Sequence, residues 1–420
     1  MFKLPIITML IIANQPIGIW EAMKTAEDKP IAKSSEYLVF AAESDLEKAK
    51  KDWAPFLTLG LTMTRTDSLE GYEPGPLDVN FFGIGENFGN ASMTLTYPLY
   101  SFGIKESQVR LQEMNYSLAK LDEKSILQQS RLAIANSWLN LWLANKNLLL
   151  AERSIDNSLK VLEDAQARYS VELISELELI QFESEFLNSK ENMSQASSLH
   201  ESALTLFKAM TGIEGDVELT ELPQIDKDLL IKFISDETNE RINVKRADLN
   251  LKISRRSREL VINRPSLIFR TTANHPENEQ GFESGDTLRS DVALSWEFIK
   301  PSKTAELKSS NEKIKAAELI YAQSVIDEDA LVESSIETIG MYQSRIENAE
   351  YTLELMRRIS ISITEGLNVG TSSYLEWSNS ENNYLAAAVS LATIKTNFLK
   401  EIFNLSAGNI DSLLKLNQNN

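Results

Sequence analysis

The chain has 420 residues, with 42 Lys and Arg against 61 Asp and Glu, a formal net charge of −19 and no cysteine. So acidic a surface repels phosphate backbones, which excludes nucleic acid as a partner, and on the same ground it repels anionic lipid headgroups. Without cysteine there is no disulfide, thiol catalysis, thiolate metal site or lipidated N-terminal cysteine, and only 16 Gly and 11 Pro argue against a loop-rich fold.

Met1-Phe2-Lys3 followed by ten mostly apolar residues to Ala13 fits a short secretory signal over residues 1–15. No run of 18 apolar residues occurs, so no membrane helix is available, and a membrane location would require a closed β-barrel. Ile17 to Lys51 reads as helical, and Pro55 stops it. A strand follows at about 56–64, with Leu57, Leu59, Leu61 and Met63 on one face and Thr58, Gly60, Thr62 and Thr64 on the other. That strict period of two marks a ribbon with one oily and one wet side. Residues 65–90 are rich in turn formers. In a second strand, at about 91–100, Met93, Leu95 and Tyr97 alternate with Ser92, Thr94 and Thr96, and Pro98 marks the exit from the ladder.

From 101 to 170 there is no proline and one glycine, Gly103. Ile104, Leu111 and Leu118 recur every seven residues, as in helices that pack on neighbouring helices. Such a helix is roughly 100 Å long. A return helix at 173–211 stops at Thr211-Gly212. A connector at 214–233 precedes a second round: a helix at 234–262, strands at about 265–272 and 290–299, a long helix at 302–368, a return helix at 371–405 and a tail at 411–420. The cluster Arg255, Arg256 and Arg258 reads as a solvated face paired with local acids. The segment Ala165 to Glu178 returns in outline at Leu367 to Glu376, 198 positions later. The chain is therefore two structural repeats, 16–213 and 234–410.

Each strand has the length of a tilted bilayer crossing. Leu57, Leu59, Leu61, Met63, Met93, Leu95, Tyr97, Val292, Leu294, Trp296 and Phe298 would face lipid. Tyr97, Tyr100, Trp296 and Phe298 would form aromatic girdles at the strand ends. Four strands are too few to close a barrel, and open edges are not tolerated in lipid. The reading therefore requires an oligomer. A trimer gives twelve strands and a lumen; a dimer gives eight and a nearly plugged one.

The ordered set Ile19-Trp20-Glu21-Ala22, Trp53-Ala54-Pro55-Phe56-Leu57, Thr96-Tyr97-Pro98-Leu99-Tyr100-Ser101-Phe102-Gly103, Ser137-Trp138-Leu139-Asn140-Leu141, Arg168-Tyr169, Arg246-Ala247-Asp248-Leu249 and Val369-Gly370-Thr371 resembles the TolC-type outer-membrane efflux family, over nearly the whole chain. The resemblance implies an α+β fold of mostly long helices. Four transmembrane strands per chain would build a trimeric 12-stranded barrel continuous with an α-helical periplasmic tunnel. It implies the outer membrane of a Gram-negative-type bacterium and an exit duct for efflux or type I secretion. Its partners would be a periplasmic adaptor, an inner-membrane pump reached indirectly, and outer-membrane lipid. The adaptor would grip Val171, Leu173, Ile174 and Ser175 in one repeat and Val369, Gly370, Thr371, Ser372 and Ser373 in the other. Glu172 stands where the family usually has glycine. By the same resemblance Glu376, with Glu178 as its counterpart, would form an acidic ring at the narrow tunnel end that favours cations. The Tyr and Arg that lock the gate in some members are replaced by Leu367 and Ser372.

His200 and His275 lack metal-ligand partners at useful spacing, and there is no phosphate-cradling or nucleophile motif. The expectation is a protein that is not an enzyme and carries no cofactor and no metal. The competing reading is a non-channel periplasmic or extracellular coiled-coil structural protein whose alternating segments form a small soluble β layer.

Overall fold

The computed structural model describes residues 16–65, 87–224, 241–262, 264–278, 286–297 and 300–406. The expected signal segment, most of the turn-rich stretch 65–90, much of the expected connector at 214–233, the start of the helix expected at 234–262, Phe298 and the C-terminal tail lie outside the described residues. The chain divides into two compact units, one of residues 1–36, 121–245 and 323–420, the other of residues 37–120 and 246–322. Each unit draws on both sequence repeats.

The second unit holds an antiparallel sheet of β1 (Phe56–Arg65), β2 (Asn87–Tyr100), β3 (Ser266–Asn278) and β4 (Thr287–Ser295), ordered β1-β2-β3-β4. Two strands outrun their sequence patterns. β2 begins at Asn87, and β3 continues through Pro276, because the register carries weak strand formers: Asn90 sits opposite both Thr62 and Pro276. Pairing to a neighbour overrides local propensity here. Pro276 lies past Asn274, the last β3 residue paired with β4, where a missing N–H is tolerated. β4 ends at Ser295, so Trp296 lies just beyond it.

The register gathers the two kinds of side chain onto opposite faces. Leu57 pairs with Leu95, Leu59 with Met93, Tyr97 with Phe269 and Phe269 with Val292. On the other face Thr58 pairs with Thr94, Thr94 with Thr272 and Arg270 with Asp291. The Oγ1 atoms of Thr94 and Thr272 are 3.2 Å apart. The apolar face is bare: Leu61 is 78% exposed and Met63 85%. On this face Thr271 and Ser290 satisfy each other through hydroxyls 3.0 Å apart, and His275, opposite Ala91, is paired with Asp286 at 2.5 Å. The register shifts between Pro98 and Tyr100 in β2, a bulge that ends the ladder. Among the described residues β1 and β4 each pair on one side only.

The helices are α1 (Ile19–Lys24), α2 (Pro30–Lys51), α3 (Ile104–Ser170), α4 (Glu176–Thr211), α5 (Ile242–Val261), α6 (Lys303–Val369) and α7 (Tyr374–Ser406). The helix expected from Ile17 to Lys51 is broken by a 3₁₀ turn at Thr25–Asp28. Pro30 is the cause: it lacks an N–H and opens α2 as its first residue. α3 and α6 have 67 residues each, roughly 100 Å. Two of the clustered arginines pair with acids, Arg255 with Glu318 at 2.8 Å and Arg256 with Glu259 at 2.5 Å, whereas Arg258 donates to the Asn311 amide oxygen at 2.6 Å.

The core of the first unit lies around Trp138, Leu139, Phe207, Ile402 and Phe403. The Trp138 indole donates to the Ile17 carbonyl at 3.0 Å. Ile17 donates to the Glu218 carbonyl at 2.7 Å and its carbonyl accepts from Thr220, so the segment after α4 is pinned to the N-terminal segment by a short parallel bridge.

Candidate functional site: two paired hairpin ends

The turn from α3 to α4 and the turn from α6 to α7 have the same construction. Leu173 N–H reaches back to the Arg168 carbonyl at 2.9 Å, and Glu172 N–H to Tyr169 at 2.9 Å. In the second turn Thr371 reaches Gly366 at 2.8 Å, and Gly370 reaches Leu367 at 3.2 Å. This pair of bonds is a Schellman stop, and it needs a left-handed residue at its centre. Gly370 fills that place with φ +78°, and Glu172 fills it with φ +60°. The departure from glycine seen in the sequence is thus a real backbone cost: a non-glycine residue there carries about 1 kcal/mol of strain. Glu172 also puts a negative charge at the negative end of the α3 dipole.

Both hairpins restart by a reciprocal cap. Ser175 N–H donates to Glu178 Oε2 at 2.8 Å, while Glu178 N–H donates to the Ser175 hydroxyl at 3.2 Å. Ser373 and Glu376 repeat this at 2.8 and 3.3 Å. These backbone N–H bonds, reinforced by the serine hydroxyls, hold both carboxyls below the ordinary glutamate range. Their contribution to the turns is therefore present above that range and is lost as pH falls through the lowered folded values. The signature Ser-x-x-Glu stands in both repeats, a local signal that the sequence reading did not use. It gives Glu178 and Glu376 a structural task beside any electrostatic one.

The two hairpin ends are held to each other. Arg168 is paired with Asp164 at 2.7 Å and donates to the carbonyls of Leu367 and Asn368, at 3.5 and 3.4 Å, at the end of α6. Tyr374 donates to the Gln181 carbonyl at 2.9 Å and packs edge-on against Phe182 at 4.1 Å. Burial, and then the Glu185 carboxylate, push the Tyr374 phenol up. Further along, buried Glu381 on α7 accepts from Asn157 of α3 at 3.0 Å and from Ser360 of α6 at 2.8 Å, tying three helices at one carboxylate. Arg153 stacks on Tyr384 and donates to its hydroxyl at 3.1 Å. Tyr374 and Glu381 had no distinguishing spacing in the sequence; only the fold brings their partners to them.

Of the residues expected at the hairpin ends, Val171, Leu173, Val369, Gly370 and Thr371 are exposed, and the first three present bare apolar surface. Ile174 is half-buried, turned into the cluster with Phe182 and Tyr374. Ser175 and Ser373 serve as caps, and Ser372 is half-buried beside Gly366. Of the residues expected to face lipid, Leu57, Leu59, Leu61, Met63, Met93, Leu95, Tyr97, Val292 and Leu294 share the bare face of the sheet, with Trp296 exposed just past β4.

Glu172→Gly is expected to slow hydrogen exchange at the Leu173 amide about fivefold, and Gly370→Ala to speed it at Thr371 by a similar factor, matching about 1 kcal/mol each way. No heavy atom lies within 4 Å of a Cβ built on Gly370, so the second change isolates the backbone term.

Residues 29–212 match the family model described as outer membrane efflux protein. Among solved structures, the Campylobacter jejuni CmeC outer membrane channel aligns with a TM-score of 0.78 at 13% identity, covering 93% of this chain and 85% of that one. The Vibrio cholerae outer membrane protein VceC aligns with a TM-score of 0.75 at 14% identity, covering 94% and 95%. The open state of the Neisseria gonorrhoeae MtrE outer membrane channel aligns with a TM-score of 0.72 at 13% identity, covering 93% and 88%. No curated protein matches the chain in sequence. With its amphipathic sheet, twin 67-residue helices and duplicated turns, the chain has the fold of these outer membrane channels along its described length, and its residues 29–212 match the outer membrane efflux protein family model.

Proposed function

We propose that three copies of this chain form an exit duct in the outer membrane, reaching into the periplasm, for a tripartite efflux or type I secretion assembly. The carrying observation is the sheet: one face is bare and apolar, the other hydroxyl-rich, and among the described residues both edges are open. In lipid, the β4 edge of one copy pairs with the β1 edge of the next, which closes twelve strands and leaves no unpaired backbone. The wet faces then line the lumen. Passage is passive, and an inner-membrane pump supplies the energy. A periplasmic adaptor docks on the hairpin ends, where Val171, Leu173 and Val369 project as apolar knobs and Gly370, Thr371, Ser372 and Ser373 allow close approach.

The first test is purification. The chain is expected to need detergent and to run at three times its 47.3 kDa mass. A subunit that stays monodisperse in water without detergent sinks the duct and leaves the non-channel coiled-coil reading.

Glu376, with Glu178 as its counterpart in the other hairpin, forms the acidic constriction in this proposal. The cap engages Oε2 of Glu376, and the negative charge remains. Glu376→Gln is a clean probe, because glutamine still closes the capping box while removing the charge. In planar bilayers the variant should lose most of its cation preference and its block by polyvalent cations. In the wild type that preference should persist as pH falls into the ordinary glutamate range, since the carboxyl is held below it. An unchanged variant would discard the ring.

A further inference from the structure

Net charge averages over a molecule, whereas a headgroup feels charge within about one Debye length, roughly 10 Å. The antiparallel order brings the start of β1, the end of β2, the start of β3 and the end of β4 to one end of the sheet, where Phe56 pairs with Thr96, Tyr100 with Leu267 and Ser266 with Ser295. The segments flanking those strand ends, 48–55, 101–110, 255–265 and 296–308, carry twelve Lys and Arg against five Asp and Glu, a local +7 in a chain of −19. In sequence, the stretches between β1 and β2 (66–86) and between β3 and β4 (279–286) carry eight Asp and Glu and no Lys or Arg. The asymmetry is the reverse of what the chain average suggests for this end.

Several of these cations are spent internally. Arg255, Arg256 and Lys51 are in ion pairs, Arg258 is held by Asn311, and Arg264 donates to the Phe102 carbonyl at 3.1 Å. Lys50, Lys105 and Arg110 are not: among the described residues they make no ion pair. These three line one open groove with Val109, Glu106 and Glu113. The two carboxylates, also without ion pairs, leave the groove at a net +1, suited to a phosphodiester monoanion. Tyr100 and Phe102, exposed and stacked edge-on at 4.7 Å, precede the groove in the chain at the strand end. Aromatic side chains of that kind favour the level where acyl chains give way to headgroups. The long stems of Lys and Arg can lie along Val109 while their charged ends reach the phosphate plane.

We propose that this end of the sheet binds the phosphate-bearing headgroups of anionic phospholipid, with Lys50, Lys105 and Arg110 forming the groove that receives one of them. The proposal rests on the membrane reading above. It fixes the direction of insertion as well: the basic end sits at the phospholipid leaflet on the helical side.

The test uses the full-length protein in nanodiscs of phosphatidylglycerol and phosphatidylcholine with matched acyl chains. Native mass spectrometry of the released complex reads which lipid stays bound. The wild type should retain phosphatidylglycerol in preference, and the preference should weaken with salt. The triple variant Lys50→Gln, Lys105→Gln, Arg110→Gln should lose about three- to tenfold of it with oligomer mass unchanged. Arg110→Lys should keep it. Absence of preference in the wild type, or full preference in the triple variant, overturns the proposal. So does displacement of the lipid by inorganic phosphate at matched ionic strength, which would make the groove a site for the free anion. Failure to enter nanodiscs at all would instead sink the membrane reading, so the two failures are distinct.

Discussion

Leu61→Arg is expected to abolish membrane insertion, while Thr62→Arg, one residue along, should insert and alter conduction. The two side chains sit on opposite faces of β1, with Leu61 opposite Ala91 and Thr62 opposite Asn90 in the register. In the proposed barrel Leu61 points into lipid near the middle of the strand. Arginine there costs about 2–4 kcal/mol per chain, paid three times in a trimer. At 62 the guanidinium meets water, so the folding cost is small, and three new cations in the lumen should cut cation conductance. Protease protection after refolding into vesicles measures the first effect, and single-channel recording the second. If Thr62→Arg fails to insert and Leu61→Arg succeeds, the assignment of faces is backwards.

Trp138→Ala carries the largest expected effect in the helical unit. The indole is fully buried, packs in the central core and donates to the Ile17 carbonyl. Removing so large a buried side chain costs about 3–5 kcal/mol. The loss should concentrate where the indole acts as a clasp, in the Ile17 bridge to Leu219. Amide exchange at Ile17 and Thr220, which make the bridge bonds, should rise at least about a hundredfold, the equivalent of about 3 kcal/mol. Trp138→Phe keeps most of the volume and loses only the hydrogen bond, so it should cost about 1 kcal/mol. Equal effects of the two changes would mean that the hydrogen bond, not the packing, holds the segment.

Much of the fold is legible because its signals are periodic. Alternation in residues 56–64 gave β1 nearly to the residue, and the absence of proline from 101 to 170 gave α3. Pro30 and both Ser-x-x-Glu pairs are local signals that the sequence reading missed, with one helix expected from Ile17 to Lys51 and no N-terminal caps named. Other features have no local signature. β3 runs through Asn274, His275 and Pro276 because β2 offers a partner, not because those residues favour a strand. Glu381 reads as one more helix glutamate until Asn157 and Ser360, more than 200 and about 20 positions away, supply its hydrogen bonds.

From the sequence alone come the elements that repeat at short range: two oily-and-wet ribbon pairs, two very long helices, a duplicated turn and a glutamate in a glycine's place. Side-chain period and turn chemistry act over a few residues, so they are written where they act. The tertiary structure alone decided which strands lie side by side, that Arg168 closes the end of α6, and that the basic segments gather at one end of the sheet. Those depend on register between residues far apart in the chain, and register is set by the packing of whole elements rather than by any one segment's composition.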